Sequence, residues 1–322
     1  MTARLRTPAG AVRTVYFGSG AFGIPILDAL VTAPGVRLVG VVTAPDRPVG
    51  RRAELTPVPV ARRAVELGLS LLQPAKLRAP EAVAAVAALE PDLGVLADYG
   101  QIVPRSVLDI PPHGMLNVHP SALPRHRGAT PIPATIAAGD PTAAVTLIAM
   151  DEGLDTGPIV AQETWPLHGA ETAETLEAEA ARRGADLIRL TLDGWVAGTV
   201  PATPQSASGV TLTRPLRRED GRLDPARSAV ELERQVRAYV PWPGSFLDTD
   251  VGRVIVHEAV VVDGEPGDLP GRLIAEADGL ALTTADGRLR LRRVQLAGRR
   301  VMDAASLRRG APELVGQTVG LR

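Results

Sequence analysis

The feature that most constrains this chain is the join between VRTVYF (Val12–Phe17), a nearly unbroken apolar run, and GSGAFG (Gly18–Gly23). A buried strand ending on Gly-x-Gly-x-x-Gly and passing into IPILDALV (Ile24–Val31) makes a strand–turn–helix unit. The alternation continues: VRLVGVVT (from Val36), DLGVLA (from Asp92) and MLNVH (from Met115) read as strands. IPILDALVTA (from Ile24), VPVARRAVELG (from Val58) and PEAVAAVAALE (from Pro80) lie between them with helical spacing. Strands that are apolar throughout, with helices between, imply a parallel-rich sheet with right-handed crossovers, an α/β fold. The glycine pattern is also the phosphate-cradling fingerprint of dinucleotide-binding folds, so an NAD-dependent dehydrogenase is one reading. That reading needs an acidic residue ending the second strand, to bind the ribose. Here the strand runs into VTAPDRP (Val42–Pro48), with Asp46 beyond it in a Pro-bracketed loop. No NAD is expected.

Two further strands, AVTLIAM (Ala144–Met150) and PIVAQETW (Pro158–Trp165), precede a long amphipathic helix from Glu171 to Trp195 with a Thr cap. The stretch AGTVPATPQSASGVTLTRP (Ala197–Pro215) has no periodicity and reads as a linker. After it come one helix, SAVELERQVRAYV (Ser228–Val240), the turn PWPGS (Pro241–Ser245), and short strands from Val254, Gly271, Leu280 and Leu289. Gly and Asp turns between such strands suggest a small open β-barrel. The expected domains are therefore 1–200, a linker over 201–215, and 216–322.

Composition removes several function classes. The 322 residues include no cysteine, which excludes disulfides, thiolate catalysis and Cys-based zinc. No apolar run approaches the roughly 18–20 residues that span a bilayer. The first 13 residues lack the apolar centre of a signal peptide, so a cytoplasmic protein without a membrane partner, working as a monomer, is expected. The net charge of −1 conceals an Arg-rich end: Arg288, Arg290, Arg292, Arg293, Arg299, Arg300, Arg308, Arg309 and Arg322 face only Asp303 and Glu313. Such a tail fits an anionic partner or a solvated face.

The chemistry concentrates between positions 114 and 158. Asn117 and His119 are two apart near the end of a strand, so they share one face at the edge where open α/β folds bind ligands. SALP (Ser121–Pro124) follows as a turn with backbone groups available to a ligand. MDEGLDTGPIV (Met150–Val160) sets Asp155 between two strands, as a turn-forming acid or a partner for a histidine. An amide, an imidazole and a carboxylate together make an acyl-transfer site without an enzyme nucleophile, the amide serving the oxyanion. The imidazole would move the proton, with the acid fixing its tautomer and raising its pKa.

NVHPSALPRHRG (Asn117–Gly128) with MDEGLDTGP (Met150–Pro158) resembles the folate-dependent formyltransferases. APDRPVGRR (Ala44–Arg52), DYGQIVP (Asp98–Pro104) and VRAYVPWPGSF (Val236–Phe246) extend the resemblance over most of the chain. It implies a Rossmann-like N-terminal domain and a C-terminal barrel resembling an OB fold. Asn117, His119 and Asp155 fall on the family's catalytic positions, and Ser121, Ala122, Leu123 and Pro124 on its folate-contacting turn. Tyr99, Gly100, Gln101 and Ile102 would line the pterin pocket through backbone hydrogen bonds. The implied donor is 10-formyltetrahydrofolate, and the implied acceptor is the α-amine of initiator methionyl-tRNA, with no metal. Arg47, Arg51 and Arg52 would approach the acceptor end, and Arg214, Arg217, Arg218, Arg293, Arg299 and Arg300 would meet phosphates. Departures are Asp98 beside Tyr99, Ala122 at a Leu position, and His126 where the family usually has an aromatic. An amino sugar linked to a nucleotide is the alternative acceptor. Release of formate from the folate, and RNA binding without catalysis, are further alternatives.

Overall fold

The structure is a computed structural model, and it describes residues 10–49 and 54–319. It divides into two compact units. One comprises the chain up to Ala129, Ala143–Trp165 and Glu177–Thr213; the other comprises Thr130–Thr142, Pro166–Leu176 and the chain from Arg214 onward. The segment expected to be a linker thus belongs largely to the first unit. Thr203 pairs with Ile159 in an isolated bridge, and Leu212–Thr213 forms a short strand.

The strands of the first unit are β1 (Val12–Gly18), β2 (Val36–Val42), β3 (Arg47–Val49), β4 (Glu54–Thr56), β5 (Leu71–Leu72) and β6 (Leu93–Ala97). They continue with β7 (Met115–His119), β8 (Arg127–Gly128), β9 (Thr142–Ala149), β10 (Ile159–Pro166) and β11 (Leu212–Thr213). The helices before the second unit's main body are α1 (Gly23–Thr32), α2 (Pro59–Glu66), α3 (Pro80–Ala87), α4 (Arg105–Leu108), α5 (Pro131–Ala138) and α6 (Ala173–Val196). Seven strands form one sheet in the order β10-β9-β7-β6-β1-β2-β5. Pairings of β1 with β2 and β6, of β2 with β5, and of β6 with β7 are parallel, as expected. The β9 strand runs antiparallel to β7, with Asn117 opposite Ile148 and His119 opposite Thr146. All five residues of β6 and of β7 are buried, as strands covered on both faces must be. Thr172 caps α6, its hydroxyl accepting from the Thr175 amide at 3.3 Å.

The glycine turn packs protein against protein. Asp98 O accepts from the amides of Ser19 at 2.8 Å and Gly20 at 3.3 Å, the groups that would otherwise face a pyrophosphate. The Ser19 hydroxyl donates to Tyr99 O and accepts from the Ala44 amide, both at 3.0 Å, so this one side chain ties the ends of β1, β2 and β6 together. Tyr16 Oη donates to Gly23 O at 2.7 Å. A Cβ on Gly20 would come within 1.6 Å of Asp98 Oδ2, so this glycine makes room for the carboxylate. Asp46 accepts from Gln73 Nε2 at 2.8 Å and serves as a loop brace.

In the second unit, α7 (Ala229–Ala238) and α8 (Ala304–Gly310) pack on a sheet of β12 (Ser245–Thr249), β13 (Gly252–Val262), β14 (Leu273–Glu276), β15 (Gly279–Thr283), β16 (Arg288–Leu296) and β17 (Met302–Asp303). Its order is β12-β13-β16-β15-β14, antiparallel throughout, with β17 on β16. Leu232, Val236, Leu247, Val256, Leu282, Leu289 and Leu314 form its core. The strand β12 begins at Ser245, inside the segment PWPGS read from sequence as a turn. Ser228 caps α7 in a capping box with Glu231.

Asp98 is reached by solvent but ringed by protein, and burial together with the Glu177 carboxylate pushes its pKa up to about 6. A carboxyl whose pKa rises from 3.8 to about 6 on folding stabilises the fold only while protonated. That contribution is complete below about pH 4 and is lost as the pH rises through 6. Asp98→Asn is therefore expected to raise Tm at pH 7.5 and leave it unchanged near pH 4 in thermal melts. An equal shift at both pH values would contradict this reading.

Candidate active site

The carboxyl end of β7 presents Asn117 and His119 on one face, only 6% and 5% exposed. After β7 the chain turns through Ser121–Pro124, and this turn is fixed by polar side chains from two strands. Thr146 Oγ1 donates to Ser121 O at 2.6 Å, and Gln162 Nε2 donates to Thr146 Oγ1 at 2.7 Å and Leu123 O at 3.1 Å. The Ser121 hydroxyl donates to Arg125 O at 2.7 Å. Leu123 is buried, while Ala122 and Pro124 are half-exposed. The expected folate turn is thus a rigid loop beside the two site residues in sequence.

Asp155 comes from the loop between β9 and β10. Its backbone has φ +53°, the left-handed region, so the surrounding contacts must hold it there. Two donors meet its carboxylate: Asn117 Nδ2 reaches Oδ1 at 3.1 Å and the Gly128 amide reaches Oδ2 at 2.8 Å. Gly157, two residues on, has no room for a side chain, since a Cβ would lie 1.9 Å from Ala149 O. His119 Nδ1 is 3.6 Å from Asp155 Oδ2, beyond hydrogen-bond distance but close enough for charge attraction. The structure therefore brings together the three residues picked from sequence.

Two expectations about His119 are corrected. Asp155 does not fix the tautomer, because Nε2 lies 3.0 Å from the His126 carbonyl, an acceptor only. Nε2 therefore carries the proton, and in the neutral ring Nδ1 is the open nitrogen facing Asp155. Nor is the pKa raised. Burial lowers it, outweighing the opposite pull of the Asp155 carboxylate, so the ring is neutral near pH 7. His126 itself is buried with φ +57°, its amide donating to Thr211 Oγ1 at 2.8 Å.

Residues missed from sequence surround this arrangement. Gln205, in the expected linker, donates to Asp155 O at 2.7 Å and Gly157 O at 2.8 Å. It accepts from Arg127 Nε at 3.1 Å and Nη2 at 2.7 Å. Short parallel pairing of β11 with β8 holds Arg127 and Gly128 in place. PATPQSAS carries no periodic signal, so only its lone amide in a polar loop could have marked it.

Among the expected pterin residues, Tyr99 turns into the core against Phe17, and burial pushes its hydroxyl up to about 12. Gln101 braces a loop through the Leu77 amide at 2.9 Å and Pro74 O at 3.1 Å. Gly100 and Ile102 are exposed, and no described residue hydrogen-bonds to their backbone.

Arg47 is exposed on β3, while Arg51 and Arg52 lie outside the described residues. In the second unit, Arg217, Arg299 and Arg300 are exposed. Arg218 lies 5.8 Å over the Trp242 ring, Arg214 pairs with Asp220 at 2.6 Å, and Arg293 with Glu258 at 3.0 Å. The Arg-rich end is less open than its composition suggests. Arg288 is buried and bound to Asp268, Glu265 and Glu276, and Arg290 binds Glu276. No group of three or more His, Asp or Glu among the described residues is placed to hold a metal ion, and no described helix is long and apolar enough to cross a membrane.

Comparison with known proteins identifies the family. Residues 12–192 match the Formyl transferase family, and residues 215–312 match the Formyl transferase, C-terminal domain. The methionyl-tRNA formyltransferase of Halorhodospira halophila is 45% identical over 96% of this chain and 99% of its own length. That of Roseiflexus sp. is 42% identical over 96% and 95%. The fold is shared with the N-formyltransferase of Helicobacter canadensis, solved with folinic acid and dTDP-3-aminofucose. That likeness has a TM-score of 0.64 at 15% identity, over 87% of this chain and 99% of the other. It is also shared with HypX of Aquifex aeolicus, solved with tetrahydrofolic acid, at a TM-score of 0.57 and 16% identity, over 95% of this chain and 48% of the other. Matched in both of its domains and along nearly its whole length, the chain belongs to the formyltransferase family.

Proposed function

We propose that this formyltransferase moves the formyl group of 10-formyltetrahydrofolate to the α-amine of initiator methionyl-tRNA. The observation that carries the chemistry is the convergence of Asn117 and His119, at the end of β7, on the Asp155 carboxylate, Asn117 by a hydrogen bond and His119 by charge at 3.6 Å. The acceptor follows from relatives of 37–45% identity named as methionyl-tRNA formyltransferases. The likeness to an amino-sugar enzyme is far lower, at 15%.

An α-amine with a pKa of about 7.7–8.0 is partly neutral at physiological pH and can attack the formyl carbon directly. The new C–N bond creates a tetrahedral centre with an oxyanion. Asn117 has one N–H on Asp155 and a second free to donate to that oxygen. His119, neutral and with Nδ1 open, takes the proton lost by the attacking nitrogen. The imidazolium then points its new Nδ1–H at Asp155 Oδ2, whose charge stabilises it. The same proton passes to the folate nitrogen as its bond to carbon breaks. The proton is conserved, and no covalent enzyme intermediate forms. Tetrahydrofolate binding falls to the Ser121–Pro124 turn and the open backbone of Gly100–Ile102. Arg47, Arg51, Arg52, Arg214, Arg217, Arg218, Arg293, Arg299 and Arg300 are assigned to the tRNA.

Asn117→Ala is expected to lower kcat for formyl transfer by about 10²–10³, and to lower Tm as well, because Asp155 loses one of its two donors. A variant within threefold of wild type would remove Asn117 from the oxyanion role. Binding of the charged tRNA is expected to weaken steeply between 50 and 200 mM salt, as counterion release from several phosphate contacts requires. Salt-independent binding, with formyl transfer to a nucleotide-linked amino sugar instead, would replace the tRNA by that acceptor.

A further inference from the structure

The carboxamide of Gln205 satisfies all of its hydrogen-bonding capacity on the two segments that hold Asp155. Both Nε2 hydrogens go to carbonyls of the Asp155 loop, at Asp155 and at Gly157. Both Oε1 lone pairs go to the guanidinium of Arg127. The assignment of oxygen and nitrogen is unambiguous, because a flipped amide would set an oxygen against two carbonyls and nitrogen against a guanidinium. Arg127 immediately precedes Gly128, whose amide is one of the two donors to the Asp155 carboxylate. Gln205 therefore closes a ring. It grips the backbone at Asp155, and through Arg127 it grips the strand that grips the side chain of Asp155.

Such a clamp has a physical reason. Asp155 sits in the left-handed region without being a glycine, a conformation that persists only where neighbours over-determine it. Its carboxylate must also stay near His119 Nδ1, at 3.6 Å, where the imidazolium of the reaction develops. We propose that Gln205 is a positioning residue of formyl transfer, holding Asp155 at the angle from which it stabilises protonated His119. The role is distinct from folate or acceptor binding, since every polar atom of the side chain is already engaged within the protein. The inference rests on the reading of Asp155 given above.

The test is a double-mutant cycle with Gln205→Met, which keeps the length and bulk of the side chain but has no amide, and Arg127→Met. Formyl transfer is followed at saturating and subsaturating folate and charged tRNA, and Tm is recorded for every variant. Gln205→Met is expected to lower kcat about 10- to 100-fold, as displacement of a catalytic group does. Both KM values should stay within threefold of wild type. Arg127→Met should cost less, because the two bonds to the Asp155 loop remain. The double variant should be no slower than Gln205→Met alone, since Arg127 acts through Gln205. A kcat within twofold of wild type for Gln205→Met, a loss carried by KM, or independent multiplication of the two single losses would each overturn the proposal. Failure of the wild-type protein to transfer formyl to the tRNA is a separate result that refutes the proposed function, so the two readings fail independently.

Discussion

A carboxylate removed from bulk water must be met by donors, and at Asp155 that requirement organises the site. Its side chain is 12% exposed, and two hydrogen bonds compensate its charge: the Asn117 amide and the Gly128 backbone N–H. Each donor arrives from a different element, Asn117 from the parallel-paired β7 and Gly128 from the short β8. The carboxylate thereby joins the end of β7 and the short β8 to the loop between β9 and β10. His119 is held over the same charge by an independent bond, from Nε2 to the His126 carbonyl. Asn117 and His119 follow the period of the strand, while Gly128 and His126 follow the turn around Ser121–Pro124.

The electrostatic consequence is a division of labour between the two histidine nitrogens. Burial keeps the ring neutral, so a base is available near pH 7 although a carboxylate stands beside it. The proton-bearing nitrogen is tied down by the His126 carbonyl, and the open one faces Asp155. A carboxylate at 3.6 Å does little for a neutral ring and much for a charged one, which concentrates its effect on the step in which the ring gains a proton.

Much of this was legible in the sequence. Continuous apolar strands and intervening helical periods fixed the parallel sheet, and the spacing of Asn117 and His119 placed them on one face. The glycines of GSGAFG named the turn but not its occupant. The close approach of Asp98 to Gly20, and the use of the Ser19 and Gly20 amides by the Asp98 carbonyl, depend on the end of β6, some 80 residues away in sequence. The antiparallel β9 was hidden because a buried strand has the same apolar pattern in either direction. Gln205 was hidden for another reason. Its partners are backbone carbonyls and one guanidinium brought in by tertiary folding, and no local period marks such a residue. Composition likewise overstated the Arg-rich end, because Arg288 meets its carboxylates across strands and loops.

The central claim is that His119 enters the reaction neutral, with its proton on Nε2 and its open Nδ1 toward Asp155. The direct measurement is the ¹⁵N spectrum of the histidine rings at pH 7, with His119 assigned by its absence in His119→Gln. A protonated Nε2 and an unprotonated Nδ1 are predicted. A proton on Nδ1 shared with Asp155, or a doubly protonated ring at that pH, would contradict the account.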